Sequence, residues 1–450
     1  MDAPRKWGRI FGWSILWAVL LSPSVVGAEA TVPELTLKQC INLALANNAL
    51  VQAAQLQKDA AEARVTEAKA SLLPRFSAAA NYLKMNEGTP IPVGVVYDPT
   101  TNQFFLQTME GPAENVELRL SANQPLYTGG ALRAGVAAAN WAARAAEADL
   151  ETRRQEVALQ VATAYYGLLT AARLVRVNEE ALANAEAHLE VVKVLFEAGT
   201  VLKTDLLRTE VAVGQARQDL IRARHALEMA RLNLVTLVGL PVEAKPQLAE
   251  VSPAKVGPLP DLADCLKIAY ANRPELMAVK AQLEAARAAL AQTKAGYLPA
   301  VSLAAVQSRR GSEPSDLEHS WTVTLNASLN LFDWGVTRAR VRQAEDNVRM
   351  LELRLKSLED RIYLEVNQAY QAVREAEERL PLAETMLKQA VENLALTQVR
   401  YEAGLATTLD VLDGQVLVTK TETAQVQAVY DYQLARARLA KAMGQVDALE

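Results

Sequence analysis

Phe196-Glu197-Ala198-Gly199-Thr200-Val201-Leu202-Lys203-Thr204-Asp205-Leu206-Leu207 is written a second time as Tyr401-Glu402-Ala403-Gly404-Leu405-Ala406-Thr407-Thr408-Leu409-Asp410-Val411-Leu412, 205 positions later. Each copy is the turn of a helical hairpin. Glycine supplies the positive φ that ends one helix, and Asp205 or Asp410 lies where a side chain caps the next. Upstream of the first turn, Ala131 to Ala198 holds no proline and two glycines, Gly135 and Gly167. At ~1.5 Å per residue such a helix reaches on the order of 100 Å, more than a compact domain needs. The return helix, about Thr204 to Val238, has a seven-residue spacing. Leu206, Val213, Leu220, Leu227 and Leu234 form one column, and Thr209, Ala216, Ala223, Ala230 and Leu237 the other. Large residues facing small ones make a close coiled-coil seam. The second return helix repeats it with Val411, Val418, Gln425, Tyr432 and Leu439 against Gly414, Thr421, Ala428, Ala435 and Ala442. One glutamine interrupts that column.

The duplication extends outward from the turns. The offset of 205 also joins Gly130 to Gly335, Arg133 to Arg338 and Gly239 to Gly444, while 225 joins Cys40 to Cys265, Asn47 to Asn272, Lys69 to Lys294 and Pro74 to Pro299. The chain is one unit written twice, with 20 extra residues between Pro74 and Leu126 in the first copy. Internal periods of this kind are read before domains are counted. The expected organisation is a first repeat over 29–240, a linker over 241–261 wrapped around the middle of the rod, and a second repeat over 262–450.

Residues 1–28 read as an export signal. Arg5, Lys6 and Arg9 precede an apolar run from Ile10 to Leu21, and Val26-Gly27-Ala28 offers small residues for cleavage, with Ala28-Glu29-Ala30 as a second site. The run is short of the ~20 apolar residues of a membrane-spanning helix. The net charge is −5, and it falls to about −7 once residues 1–28 leave, because they hold three bases against Asp2 alone. An acidic chain with no basic block excludes nucleic acid as a partner class. Cys40 and Cys265 occupy equivalent places near the starts of apolar-periodic helices and read as free, buried thiols rather than a bridge.

Within each repeat a helix comes first, about Thr36 to Leu72 and Leu262 to Leu298, stopped by Pro74 and Pro299. The period then changes. Trp321, Val323, Leu325, Ala327, Leu329 and Leu331 alternate with Thr322, Thr324, Asn326, Ser328 and Asn330, and Val116, Leu118, Leu120 and Ala122 with Glu117, Arg119, Ser121 and Asn123. These are strands with one apolar and one polar face. Arg75 to Leu83 and Ala300 to Ser308 are their partners, so the strand pairs cover about 75–127 and 300–332. Lys84 to Asn115 and Arg309 to Ser320 read as unequal loops. The helical hairpins follow over 131–238 and 335–444, with a kink expected at Pro381.

Four strands cannot seal a membrane barrel, and open sheet edges cannot exist in lipid. Strands that cross a membrane therefore need further copies of this chain: two give eight and a filled interior, three give twelve and a water-filled lumen.

With these features in order, the chain resembles the TolC family of outer-membrane efflux proteins. The match rests on Asn47-Asn48, Leu72-Leu73-Pro74, Gln124-Pro125-Leu126-Tyr127 and Tyr401-Glu402-Ala403-Gly404 leading to Leu409-Asp410-Val411-Leu412-Asp413, and spans nearly the whole chain after residue 28. The resemblance implies a mostly α protein with a β membrane part. It would be a homotrimer with a twelve-stranded outer-membrane barrel, continued by a twelve-helix periplasmic tunnel. It implies outer-membrane lipid around the barrel, a periplasmic adaptor (membrane fusion protein) as partner, and an inner-membrane transporter behind the adaptor. No cofactor or metal is implied. The adaptor-docking tip would comprise Gly199, Thr200, Val201, Leu202 and Asp205 with Gly404, Leu405, Ala406, Thr407 and Asp410.

Relatives narrow the tunnel end with acidic residues, and here the pattern departs. Glu186 and Glu190 correspond to Val391 and Ala395 of the other copy, and Glu392 to Ala187. These three are the aperture candidates, with a solvated helix face as the alternative. A periplasmic adaptor or structural coiled coil would share the hairpins but not the strand pairs or the duplication. His188, His225 and His319 show no metal-ligand spacing, and no catalytic constellation is present.

Overall fold

The computed structural model describes residues 34–84, 90–110, 114–249, 259–312 and 315–445. The signal over 1–28, part of the linker and Glu313-Pro314 lie outside the described residues. In chain order the elements are helices α1 (Leu37–Asn47) and α2 (Ala49–Ala70), strands β1 (Arg75–Lys84), β2 (Pro90–Asp98), β3 (Gln103–Glu110) and β4 (Glu114–Thr128), and helices α3 (Ala131–Glu197) and α4 (Lys203–Val238). The second repeat supplies α5 (Leu262–Asn272), α6 (Pro274–Lys294), a 3₁₀ turn at Ala295–Tyr297, β5 (Ala300–Gly311), β6 (Glu318–Ser328), α7 (Val336–Glu402) and α8 (Thr408–Ala442).

Each long helix, α3 and α7, runs 67 residues, about 100 Å at the α-helical rise. The buried positions of α8 include Val411, Gly414, Thr421, Ala428, Tyr432, Ala435, Leu439 and Ala442, the residues of the heptad columns. On α4, Thr209, Val213, Leu220 and Leu234 are buried. Helix α7 continues through Pro381, whose carbonyl accepts a bond from the Thr385 hydroxyl at 2.8 Å.

The first helix of each repeat is broken, not continuous. Asn48 adopts ψ 123° and its side chain accepts from the Leu50 amide at 2.9 Å, starting a new helix. In the second repeat Pro274 forces the preceding Arg273 to ψ 119°, because a residue before proline is excluded from the α region. Arg273 is almost fully buried and holds Glu365 of α7 at 2.6 Å. Each broken end is fastened to the close of its own repeat. A Cβ on Gly239, at φ +76°, would lie 2.9 Å from Asn47, and one on Gly444, at φ +73°, 2.9 Å from the Asn272 backbone. Both positions therefore need glycine twice over, for φ and for room.

The main core sits near the middle of α3. Cys40, Ala44, Val161, Tyr165, Leu234 and Val238 pack together, and the Tyr165 hydroxyl donates to Ala249 at 2.9 Å. The second repeat builds its counterpart from Cys265, Ala269, Ile362 and Val366. Both thiols are free and fully buried. Burial pushes Cys40 up to about 11 and Cys265 upward, so neither is a thiolate at neutral pH.

The four longer strands form one antiparallel sheet in the order β1-β4-β5-β6. A second, two-stranded sheet occupies the segment read as loop: β2 pairs with β3, with a register shift between Pro92 and Gly94. Strand β6 ends at Ser328, short of Leu331, whereas its counterpart β4 runs on to Thr128.

Candidate functional site

Sheet register fixes what the strands can do, because facing partners point to the same side. Phe76 faces Ala122, which faces Ala305, which faces Val323; one row up, Ala78, Leu120, Gln307 and Trp321 stand side by side. Leu303 and Leu325 continue this apolar face below. The other face carries Ser77, Arg119, Ser121, Ser308, Ser320, Thr322 and Thr324. Hydroxyls pair across it, Ser77 with Ser121 at 2.7 Å and Ser308 with Ser320 at 2.8 Å. Glu117 on that side accepts from Arg310 at 3.2 Å and lies 3.6 Å from Arg119. Every residue of β1 and β6 is exposed, and each pairs with a neighbour on one edge only. The wall is thus apolar on one side, hydroxylated and charged on the other, and open at both ends. Among the described residues no helix is long and apolar enough to cross a membrane.

The far ends of the helical hairpins are the two turns. Gly199 and Gly404 both take φ +73° with nothing within 4 Å of a built Cβ, so here the glycine answers φ alone. The Thr200 amide reaches back to Leu195 at 2.9 Å and the Leu405 amide to Arg400 at 2.7 Å. Capping differs. At the second turn Asp410 accepts from the Thr407 amide and hydroxyl, both at 2.7 Å, while Thr407 accepts from the Asp410 amide at 3.3 Å. These bonds hold the Asp410 carboxyl below the usual carboxylate range. At the first turn leucine replaces that threonine, and one bond remains, from the Leu202 amide to Asp205 at 3.3 Å. Leu202 and Leu405 are each 70% exposed. Val201 and Ala406 are half-buried, and Thr200 and Thr407 exposed.

The three acidic aperture candidates are not brought together. Glu186 pairs with Arg217 of α4 at 2.9 Å, Glu190 with Lys193 one turn along at 2.7 Å, and Glu392 stands exposed on α7. In the single chain each of the three is exposed.

Sequence reasoning passed over a strip of contacts between the two hairpins. Along α3, Glu180, Asn184 and His188 recur every fourth residue. The Asn184 carbonyl accepts from Gln415 of α8 at 3.3 Å. The buried His188 ring meets Tyr401 edge-on at 5.4 Å, and its Nε2 has no partner. Burial lowers the His188 pKa. Glu422 of α8 is raised, first by burial and then by the charge of Glu180. Spacing on α3 was available as a cue, but the partners lie more than two hundred residues away on helices with their own polar faces. Among the described residues no three of His, Cys, Asp and Glu gather as a metal site.

Comparison with known proteins agrees with this architecture. The sequence profile described as outer membrane efflux protein matches residues 40–240 and 265–445, one span in each repeat. The alkaline protease secretion protein AprF of Pseudomonas aeruginosa is 27% identical over 90% of this chain and 84% of its own length. The outer membrane efflux protein BepC of Brucella suis is 24% identical over 96% of this chain and 90% of its own. The solved outer-membrane channel OprN superposes with a TM-score of 0.79 at 21% identity, covering 91% of this chain and 90% of that one. The CmeC outer membrane channel of Campylobacter jejuni also gives 0.79, at 19% identity over 91% of this chain and 86% of that one. A duplicated hairpin rod carrying a two-faced sheet, matched by the family profile once per repeat, places this chain in the outer membrane efflux protein family.

Proposed function

We propose that this protein is the exit duct of an export machine: a homotrimeric channel through the outer membrane, continued across the periplasm by its helical hairpins. The carrying observation is the four-stranded sheet, apolar on one side and hydroxylated on the other, whose edge strands β1 and β6 each lack a partner in one chain. Unpaired backbone groups cannot remain in hydrocarbon, so the edges pair with other copies. Three copies give twelve strands, enough to enclose a lumen. Phe76, Leu120, Val323 and Leu325 then face lipid, while Ser121, Arg119, Thr322 and Thr324 line a wet passage.

Cargo would enter at the turns. Leu202 and Leu405, each 70% exposed, present apolar surface at the ends of the rods, and such surface marks a protein contact. The partner is a periplasmic adaptor that couples the duct to an inner-membrane transporter. The names of two relatives, the alkaline protease secretion protein AprF of Pseudomonas aeruginosa and the outer membrane efflux protein BepC of Brucella suis, support an export role. The family is one of transport channels, and no step of the proposed activity requires chemistry on the cargo.

The test is the mass of the purified protein in detergent, with conductance in a planar bilayer. A particle of three copies with stable single-channel openings is expected. A monodisperse monomer without amphiphile would remove the reading.

A further inference from the structure

Trp141, Arg144, Ala148, Glu151 and Gln155 are spaced three and four apart along α3 and so share one face of the helix. The same stripe continues through Ala158, Ala162 and Tyr165, and there it is covered. All three are fully or almost fully buried, and Ala162 and Tyr165 pack with Cys40 and Ala44 of α1 and with Leu35 and Leu248. Part of that cover is extended chain. The Leu35 amide donates to Gln247 at 2.8 Å, the Ala249 amide to Leu35 at 3.2 Å, and the Tyr165 hydroxyl to the Ala249 carbonyl at 2.9 Å. Before Gln155 the stripe stands open. Arg144 and Glu151 are exposed, and a cleft of about 1130 Å³ runs here between α2, α3 and α6.

We infer that this cleft is a docking site for an acidic, extended peptide segment of a periplasmic partner, received on α3 as the chain's own residues 247–249 are received beside it. All of its walls belong to one chain, so no contact between copies is required.

Three features fit that occupant. The first is an unmet acceptor. Gln155 is 5% exposed; its Nε2 donates to the Gly444 carbonyl at 3.3 Å, and its Oε1 is buried in the cleft wall without a donor. A buried acceptor is costly to leave unpaired, and a backbone N–H supplies what it lacks. The second is charge. Lys58 lies 3.6 Å from Glu147, Arg154 3.6 Å from Glu151, and Glu284 holds Arg287 at 2.7 Å. Lys280 and Arg144, the latter 4.4 Å over the Trp141 ring, have no carboxylate partner among the described residues. The unspent charge of the cleft is therefore positive. With Arg144 laid over it, the Trp141 face is not open to stack a sugar, which counts against a glycan. The third is reach. Arg144 and Gln155 are roughly 16 Å apart along the helix, about five residues of extended chain. Alternate side chains of such a segment would meet the cationic rim and the apolar Leu150, Pro274 and Met277. The duplication supplies a control. Trp141, Gln155, Met277 and Lys280 correspond to Asp346, Asp360, Gln52 and Gln55 of the other copy, while Arg144 recurs as Arg349. The repeated frame does not itself call for those four residues, so they belong to this cleft.

In a Trp321→Phe/Trp334→Phe background Trp141 is the one tryptophan after residue 28, so its emission reports the cleft. The probe is a blocked hexapeptide alternating leucine and aspartate, titrated into the purified protein in detergent. Saturable binding is expected, read by anisotropy of the fluorescein-labelled peptide, with a shift of Trp141 emission when the unlabelled peptide is used. Affinity should fall about tenfold in Lys280→Gln and in Arg144→Gln, and further with added salt. Lys280→Gln installs the residue that the other repeat already carries at this place, so its fold is preserved. Gln155→Leu should weaken binding as well. No saturable binding, equal binding of a leucine–lysine peptide, or indifference to both cation variants overturns the assignment. Binding of trigalacturonate in place of the peptide overturns it in favour of a glycan. Peptide binding that appears only once residues 446–450 are removed overturns the partner, since the cleft then belongs to the chain itself. Each of these outcomes leaves mass and conductance untouched, and those two measurements test the export reading separately.

Discussion

The two hairpin turns share a backbone and differ in what secures it. Both glycines sit at φ +73° in open space, and both return helices bear an aspartate at the third position. The second turn closes a reciprocal box between Thr407 and Asp410; the first has Leu202 in place of the threonine and retains one longer bond. The second turn also anchors Tyr401, through Thr408 at 3.2 Å and against His188. Equivalent sequences have thus become a tightly capped turn and a loosely capped one. Each still exposes one leucine, but at different positions: Leu405 directly after the glycine, Leu202 three residues after it. The difference teaches that the fold requires only the glycine and the aspartate. The leucines are not needed for the turn, which is why they point to a partner.

The largest effect expected from this comparison is functional. Leu202→Asp and Leu405→Asp together should abolish export in cells while the protein still purifies as a trimer, because both side chains are solvent-exposed in the free chain. Each alone should act differently if an adaptor reads two unlike sites, and identically if it grips only the shared turn. Loss of assembly in the double variant would mean that the leucines pack within the oligomer.

A smaller effect separates the caps. Asp410→Ala removes two accepted bonds and Asp205→Ala one weaker bond, so hydrogen exchange over the last turn before and the first turn after each glycine should quicken more at the second turn. Bonding to Thr407 favours the charged Asp410, so its contribution is present above the ordinary carboxylate range and is lost as pH falls through its lowered value. Equal protection at the two turns, or an equal response to the two substitutions, would show that the box does not distinguish them.

Much of this architecture was legible in sequence because duplication and period survive without tertiary knowledge. Offsets of 205 and 225 and the heptad columns of α4 and α8 required no coordinates. What escaped has local causes. The break at Asn48 was hidden because asparagine is tolerated within a helical pattern, and only its cap bond to Leu50 shows that a helix begins there. The hairpin β2–β3 was disguised by Pro90, Pro92 and Gly94, which shift its register and interrupt alternation. Strand β6 ends at Ser328 because β5, its one partner among the described strands, begins at Ala300, so Leu329 to Leu331 keep the alternation with no strand beside them. The turn residues were visible as a set, while the strip that joins the hairpins beside them was not. Its members are single residues on three helices, and periodicity reports a face without naming what it meets.

That strip yields the smallest expected effect, and it bears on why the second turn is the more firmly held. His188 is buried against Tyr401 with Nε2 unpartnered, and burial lowers its pKa from 6.5. The folded hairpins thus bind its proton less readily than the unfolded chain does. Stability from the neutral ring is complete above about 6.5 and is lost as pH falls from there through the lowered value. Glu422 acts in the opposite direction. Burial and Glu180 raise it above 4.5, so its protonation on acidification favours the contact between α3 and α8. On acidification the two groups therefore act with opposite sign, the His188 trend running downward from 6.5 and the Glu422 trend ending near 4.5. In His188→Phe, with a ring kept against Tyr401, exchange protection corrected for the intrinsic rate should no longer fall with acid near residue 401 and should follow the Glu422 trend instead. Adding Glu422→Gln should leave the profile flat. An unchanged acid response in His188→Phe would show that the imidazole has little part in the pH dependence of the second turn.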